Sequence, residues 1–213
     1  MKPRVGVIDY GMGNLHSVSK ALALQGANVT VTDDVEILRQ SDMVVLPGVG
    51  SFGAAAQTLR KKGLDTFVKD WIGKNRPYLG ICLGFQLLFD SSEEDPQIPG
   101  LGILKGSVVR FRFPKGLKAK NKVPHMGWNT TKRAIKKKEP YFKNIKDQDY
   151  FYFVHTFYPV PEQKSNVFTT TTYGIPFCSS VSRGNLFASQ FHPEKSGEIG
   201  LKLLKNILAS LRK

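Results

Sequence analysis

A cysteine with a glycine two residues to either side stands in GICLG (80–84), where an apolar run from Tyr78 passes into a segment of helical spacing opening at Phe85. That order suits a nucleophile elbow. A side chain displayed on a tight strand-to-helix turn needs neighbours without β-carbons, which would clash where the chain reverses. A thiolate at the start of a helix is also favoured by the amide dipoles. On this motif alone, Cys82 reads equally well as a small hydrophobe buried in a core strand.

A thiolate nucleophile needs a base, and the chain has four histidines: His16, His125, His155 and His192. The last lies in SQFHPEKS (189–196), where Pro193 biases His192 toward extended backbone. Residues two apart in extended chain face the same side, which places Glu194 beside His192. Its carboxylate there would fix the imidazole tautomer and stabilise the imidazolium. A His-x-Glu pair by itself is commonly a surface coincidence, but its position after the cysteine elbow and near the end of the chain sharpens it.

Acyl transfer through a thiol also needs donors for the tetrahedral oxyanion. The backbone N–H of Leu83, directly after the nucleophile, is one candidate. The Gly-rich turn LPGVGSFG (46–53) is another, because its glycines let backbone approach a ligand closely. Such a turn also serves simply to join a strand to a helix.

These residues require a scaffold that delivers them to one edge. In the first half, β-rich runs at 4–10, 28–33, 42–48 and 78–82 alternate with helical patterns. Runs apolar on both faces and separated by helices argue for a parallel sheet covered on two sides. The expectation is an α/β domain with a doubly wound, mainly parallel sheet and sites at the carboxyl ends of its strands. After Gly100 the pattern changes to strand-like segments at 108–113, 150–158, 166–173, 177–182 and 185–191, read as additional antiparallel strands. Apolar residues at helical spacing from Ile199 to Leu211 predict a closing helix. No repeat or long linker divides residues 1–213, so one domain is expected.

Composition bounds the rest. An apolar fraction of 41% and a charged fraction of 23% fit a soluble globular chain, and no apolar run approaches the roughly 20 residues a bilayer crossing needs. The start MKPRVGVIDYG is too short in apolar residues for a signal peptide, so a cytoplasmic location is expected. Two cysteines, Cys82 and Cys178, make no disulfide framework and no zinc site. The formal charge is +14, and much of the excess lies between Arg110 and Lys146, through Arg112, Lys115, Lys118, Lys120, Lys122, Lys132, Arg133, Lys136, Lys137, Lys138 and Lys143, with Glu139. Such a block can track phosphates, but no nucleic-acid motif accompanies it, which favours a solvated basic face or one that meets an acidic partner.

PGVG (47–50), GICLGFQLLF (80–89) and FHPEKS (191–196), in that order, resemble the class I glutamine amidotransferases. DYGMGNL (9–15), VPHMGWN (123–129) and YFVHTFY (152–158) narrow the likeness to the glutaminase subunits of imidazole glycerol phosphate synthase. The resemblance implies Cys82 as nucleophile, His192 as acid and base, and Glu194 as its orienting partner. It implies hydrolysis of glutamine to glutamate and ammonia through a γ-glutamyl thioester. Oxyanion donors would come from Val49, Gly50 and Leu83, and glutamine contacts from Gly48, Val49, Gly50, Gln86 and Glu94.

The same likeness implies a (β/α)8-barrel cyclase partner that uses the ammonia on a phosphoribosyl formimino carboxamide nucleotide in histidine synthesis. Pro124, His125, Met126, Gly127, Trp128, Asn129, Lys195 and Ser196 would form the partner surface. Trp128 alone also reads as a core residue, and Gln86 alone as an ordinary helix residue. No metal or organic cofactor, nucleic acid or membrane is implied. The basic tract FPKGLKAKN (113–121) departs from anything the chemistry demands. A peptidase-like or deglycase-like cysteine hydrolase, or a glutaminase feeding another synthase, should lack the combination of His-x-Glu near the end with VPHMGWN in the middle. Glutaminase subunits duplicated into surface-sugar pathways could retain the same motifs and change only the partner, and an idle scaffold would be free to lose Cys82, His192 or Glu194.

Overall fold

The computed structural model of the chain describes residues 1–118, 121–134 and 140–211, with Lys118 described in its backbone only. Lys120, Lys136, Lys137, Lys138 and Glu139 of the basic stretch lie outside the described residues.

Strands β1 (Arg4–Ile8), β2 (Asn28–Thr32), β3 (Met43–Gly48) and β4 (Tyr78–Cys82) are separated by helices α1 (Leu15–Leu24), α2 (Val35–Arg39), α3 (Phe52–Lys61) and α4 (Leu64–Gly73). A single turn of helix, α5 (Leu83–Gln86), follows β4 directly. The second half carries β5 (Ser91–Ser92), β6 (Gly106–Arg110), α6 (Lys115–Lys118), β7 (His125–Thr130), β8 (Lys132–Arg133), β9 (Tyr150–His155) and β10 (Phe157–Pro161). It closes with β11 (Val167–Tyr173), β12 (Ile175–Arg183), β13 (Leu186–Ser189) and α7 (Gly197–Ser210).

The main sheet runs β2-β1-β3-β4-β13-β12-β11-β8. Pairing is parallel from β2 through β13 and antiparallel from there to β8. This is the expected doubly wound, mainly parallel sheet with an antiparallel extension. Strands β3 and β4 are buried at every residue, as apolar runs covered on both faces must be. On one face, α3 and α4 bury Leu59, Leu64, Phe67, Val68 and Trp71 in the core that includes Val44 and Leu46. On the other, α1 and α7 bury Val18, Leu22, Leu203, Leu204 and Ile207 in the core that includes Val45, Leu79 and Ile81. Among the described residues no helix is long and apolar enough to cross a membrane.

Three elements differ from the sequence expectation. The run 150–158 is two strands: β9 pairs with β7, while β10 joins β6 and β5 in a separate sheet. The break at Thr156 is closed by the His155 ring, whose Nδ1 lies 2.8 Å from the Phe157 carbonyl oxygen. The helical pattern after Cys82 yields only the one turn of α5. VPHMGWN, assigned to no element from sequence, supplies β7.

Residues flanking the cysteine are glycine because backbone lies against them. A β-carbon on Gly84 would overlap the Leu46 carbonyl oxygen, and one on Gly80 would stand 2.9 Å from the Gly84 carbonyl oxygen. Gly73, by contrast, faces open space. Gly84→Ala is therefore expected to destabilise the fold by about 3 kcal/mol or more, read as a lowered urea midpoint. Gly73→Ala, in a helix with room, should hold or raise that midpoint by up to about 1 kcal/mol.

Candidate active site

Cys82 terminates β4 with φ 54° and ψ −107°, a conformation non-glycine residues rarely adopt. Strain of this kind costs about 1–3 kcal/mol and persists only where packing over-determines it. Here the determinants are the fully buried β4 before the residue and the Gly84–Leu46 approach after it. With a helix of one turn behind it, the amide dipole expected to favour the thiolate is short, and the charged neighbour that matters is His192.

His192 follows β13 and is 2% exposed. Its Nδ1 lies 2.8 Å from Glu194 Oε1. Pro193–Lys195 form a 3-10 turn, so the turn, not a continuing strand, brings Glu194 back onto the ring. Ser196, grouped with the surface residues from sequence, is buried and fastens this turn: its Oγ donates to the His192 carbonyl at 2.6 Å and accepts from Tyr152 N–H at 3.0 Å. Burial pushes the His192 imidazolium toward deprotonation, but the charge and hydrogen bond of Cys82, with the Glu194 carboxylate, outweigh it and raise its pKa to about 10. Glu194 occupies Nδ1, so the interaction with Cys82 falls to Nε2, which has no other hydrogen-bond partner among the described residues. Cys178 contrasts with this: buried in β12, its thiol is pushed up to about 12 and stays protonated.

A cavity of about 310 Å³ opens onto Cys82 and His192 and is also lined by Val49, Gly50, Leu83, Gln86 and Glu94, joining most of the residues singled out from sequence. Gly48 is not on its wall. A β-carbon there would stand 2.6 Å from Tyr10 Oη and 2.8 Å from Leu83 Cβ, so this glycine permits β3 to press against the elbow. Gly50 has φ +103° and open space around it, with Met12 Sδ at 4.0 Å the nearest atom a β-carbon would meet. Gly48 is therefore packed, whereas Gly50 has no such close neighbour. Glu94 Oε2 accepts from Phe52 N–H at 2.8 Å and Asp95 from Gly53 N–H at 2.9 Å, so two distant carboxylates cap α3, whose Ser51 provides no side-chain cap.

Two buried networks escaped the sequence reading. Gln86 Nε2 donates to the Phe157 carbonyl at 3.0 Å and to Gln190 Oε1 at 3.0 Å, and Gln190 Nε2 donates to Cys82 Sγ at 3.6 Å. The one available signal was a glutamine inside the apolar run FASQF. Second, His125, expected on the partner surface, is a core residue at 2% exposure. Strand alternation explains it: Pro124, Met126 and Trp128 point outward, while His125 and Asn129 turn inward. The His155 Nδ1–H donates to the Phe157 carbonyl, so His155 Nε2 accepts from His125 Nδ1 at 2.9 Å, and His125 Nε2 accepts from Asn129 Nδ2 at 3.2 Å. Burial depresses both rings, His125 to about 4 and His155 to about 3.

The glutamine amidotransferase class-I family model matches residues 6–211. The chain belongs to the class I glutamine amidotransferases. This amidotransferase is 48% identical over 202 residues to imidazole glycerol phosphate synthase subunit HisH of Caldanaerobacter subterraneus subsp. tengcongensis, covering 95% of this chain and 96% of that protein. It is 48% identical over 204 residues to the subunit of the same name from Aquifex aeolicus, covering 95% of each. Among solved structures, PurLQS from Thermotoga maritima shares the amidotransferase fold with a TM-score of 0.77 at 23% identity, covering 99% of this chain and 100% of that one.

Two outcomes are expected. Glu194→Gln removes a group that raises the His192 pKa, so the imidazolium of this amidotransferase loses its proton at lower pH. The basic limb of kcat/KM should move down the pH scale, with kcat lower by about 10² or more. Separately, His125 and His155 stay neutral in the fold while the unfolded chain binds protons from about pH 6.5 downward. Stability should therefore fall between about pH 6.5 and pH 5, by about 1 kcal/mol per pH unit for each ring, read as a declining urea midpoint.

Proposed function

We propose that the chain is the glutaminase subunit of an imidazole glycerol phosphate synthase, with residues 1–213 forming a single amidotransferase domain. Cys82 Sγ attacks the side-chain amide carbon of glutamine, and the developing oxyanion is received by the N–H of Leu83 and by the Val49–Gly50 turn. His192 protonates the departing ammonia from Nε2, leaving a γ-glutamyl thioester on Cys82. It then takes a proton from water as that water attacks the thioester, releasing glutamate. Glu194 holds the ring in the tautomer both steps need.

The observation that carries this reading is the constellation itself: a cysteine held at φ 54° in a cavity beside a buried histidine whose other nitrogen lies 2.8 Å from a carboxylate. Substrate orientation follows from what remains free. Both N–H groups of Gln86 are committed to protein acceptors, so only its carbonyl oxygen is left for glutamine. An acceptor there, with the Glu94 carboxylate on the same wall, suits the substrate's α-ammonium group.

The ammonia passes to a (β/α)8-barrel cyclase, which makes imidazole glycerol phosphate and an aminoimidazole carboxamide ribotide in the cytoplasm. Met126 and Trp128, 62% and 55% exposed on one face of β7, support a partner surface there. Pro124 of the same face lines the cavity, and Lys195 beyond the triad glutamate is exposed and makes no ion pair among the described residues. An acidic group on the cyclase is the natural complement of that lysine. Without the cyclase the Val49–Gly50 donors are misaligned, and the rotation that aligns them takes place at Gly50.

Glutamate release from glutamine is the test, measured for the chain alone and with the cyclase and its nucleotide. One aligned oxyanion donor is worth about 10²–10³, so stimulation of that order is expected, abolished in Cys82→Ala. A full rate without the cyclase would remove the gating, and no release under any condition would return Cys82 to the core.

A further inference from the structure

The register of the parallel pair β4–β13 runs Tyr78 with Leu186 through Ile81 with Ser189. One step further along both strands brings Gln190 level with Cys82, at the point where β4 turns into the elbow. Gln190 is completely buried, and its amide is not a spectator of packing. The orientation of each amide in this row is fixed by its neighbour. The Phe157 carbonyl can only accept, so Gln86 presents N–H to it; the second N–H of Gln86 then faces Gln190, which must present its oxygen. Gln190 is left with its N–H groups toward Cys82, and Nε2 stands 3.6 Å from Sγ.

We propose that Gln190 is a positioning residue for the nucleophile: its amide N–H holds the Cys82 sulfur, and its amide oxygen ties that hold to Gln86 on the substrate wall. The inference rests on Cys82 being the nucleophile, as proposed above. A donor aimed at sulfur strengthens as charge accumulates there, because a hydrogen bond to an ionised acceptor is about twice as strong as a neutral one. Gln190 thereby favours the thiolate with a neutral group that cannot compete with His192 for the proton. Gln86 makes the arrangement responsive: a substrate that pulls on the Gln86 carbonyl polarises the amide whose N–H donates to Gln190, and hydrogen bonds in such a row reinforce one another.

The decisive measurement is the pH dependence of Cys82 alkylation by iodoacetamide, followed by mass spectrometry of the peptide containing Cys82, in the full chain and in Gln190→Met and Gln190→Glu. Circular dichroism and a thermal midpoint establish that each variant is folded. Methionine has similar length and no donor, and should alkylate about tenfold more slowly near neutral pH, its profile displaced to higher pH. Glutamate keeps an acceptor for Gln86 but sets a carboxyl group against the sulfur, and should slow alkylation at least as much while leaving KM for glutamine within about threefold. An unchanged alkylation profile in either folded variant overturns the proposal, and Gln190→Glu decides it if the methionine variant does not fold. Alkylation is independent of glutamine turnover. A displaced profile in a chain that releases no glutamate would retain Gln190 and sink the glutaminase reading alone.

Discussion

The close approach of the elbow to its neighbouring strand is the constraint on which the rest of the site depends. A β-carbon on residue 84 would overlap the Leu46 carbonyl oxygen and one on residue 80 would press on the carbonyl oxygen of residue 84, so the chain turns from strand to helix in less space than side chains allow. Cys82 absorbs that turn with a positive φ. The strain is sustained by two buried core layers, one against each face of β3 and β4. A cysteine held in this way cannot relax into the sheet, so its sulfur stays at the cavity.

Gln190 and His192, which the structure sets against the sulfur, arrive from the second half of the chain. Strand β13 lies parallel beside β4 and delivers Gln190 next to the cysteine and His192 two residues later. The 3-10 turn that follows brings Glu194 back to the ring, and Ser196 locks that turn to β9. The carboxyl-end edge of the sheet thus collects Cys82, His192 and their hydrogen-bond partners from segments about 110 residues apart. That placement is the general habit of parallel α/β sheets, whose strand ends face one common crevice.

The basic composition has a modest structural expression. Arg112 pairs with Glu93 at 2.8 Å and Arg133 with Asp147 at 2.7 Å, all four side chains substantially exposed. Exposed pairs of this kind contribute about 0–1 kcal/mol, so the charge shapes the surface field more than it holds the fold. The interior of the same region is held by aromatic packing, with Phe111 and Phe177 around the neutral His125–His155 pair.

The sequence by itself determined the parallel sheet, because runs apolar on both faces have no other stable place. It also located the elbow, since Gly80 and Gly84 carry local backbone requirements that can be read residue by residue, and it set Glu194 beside His192, although a 3-10 turn and not extended chain makes that contact. Only the tertiary structure decided how these parts meet. It turned His125 into the core, confined Gly48 to packing, split 150–158 between two sheets and set Gln190 against Cys82. Those outcomes hang on strand register and on buried hydrogen-bond partners distant in the chain, such as Gln86 with Phe157 and Gln190. Local propensity carries no record of such partners, because the energy of a buried polar group is fixed by whatever the completed fold places opposite it.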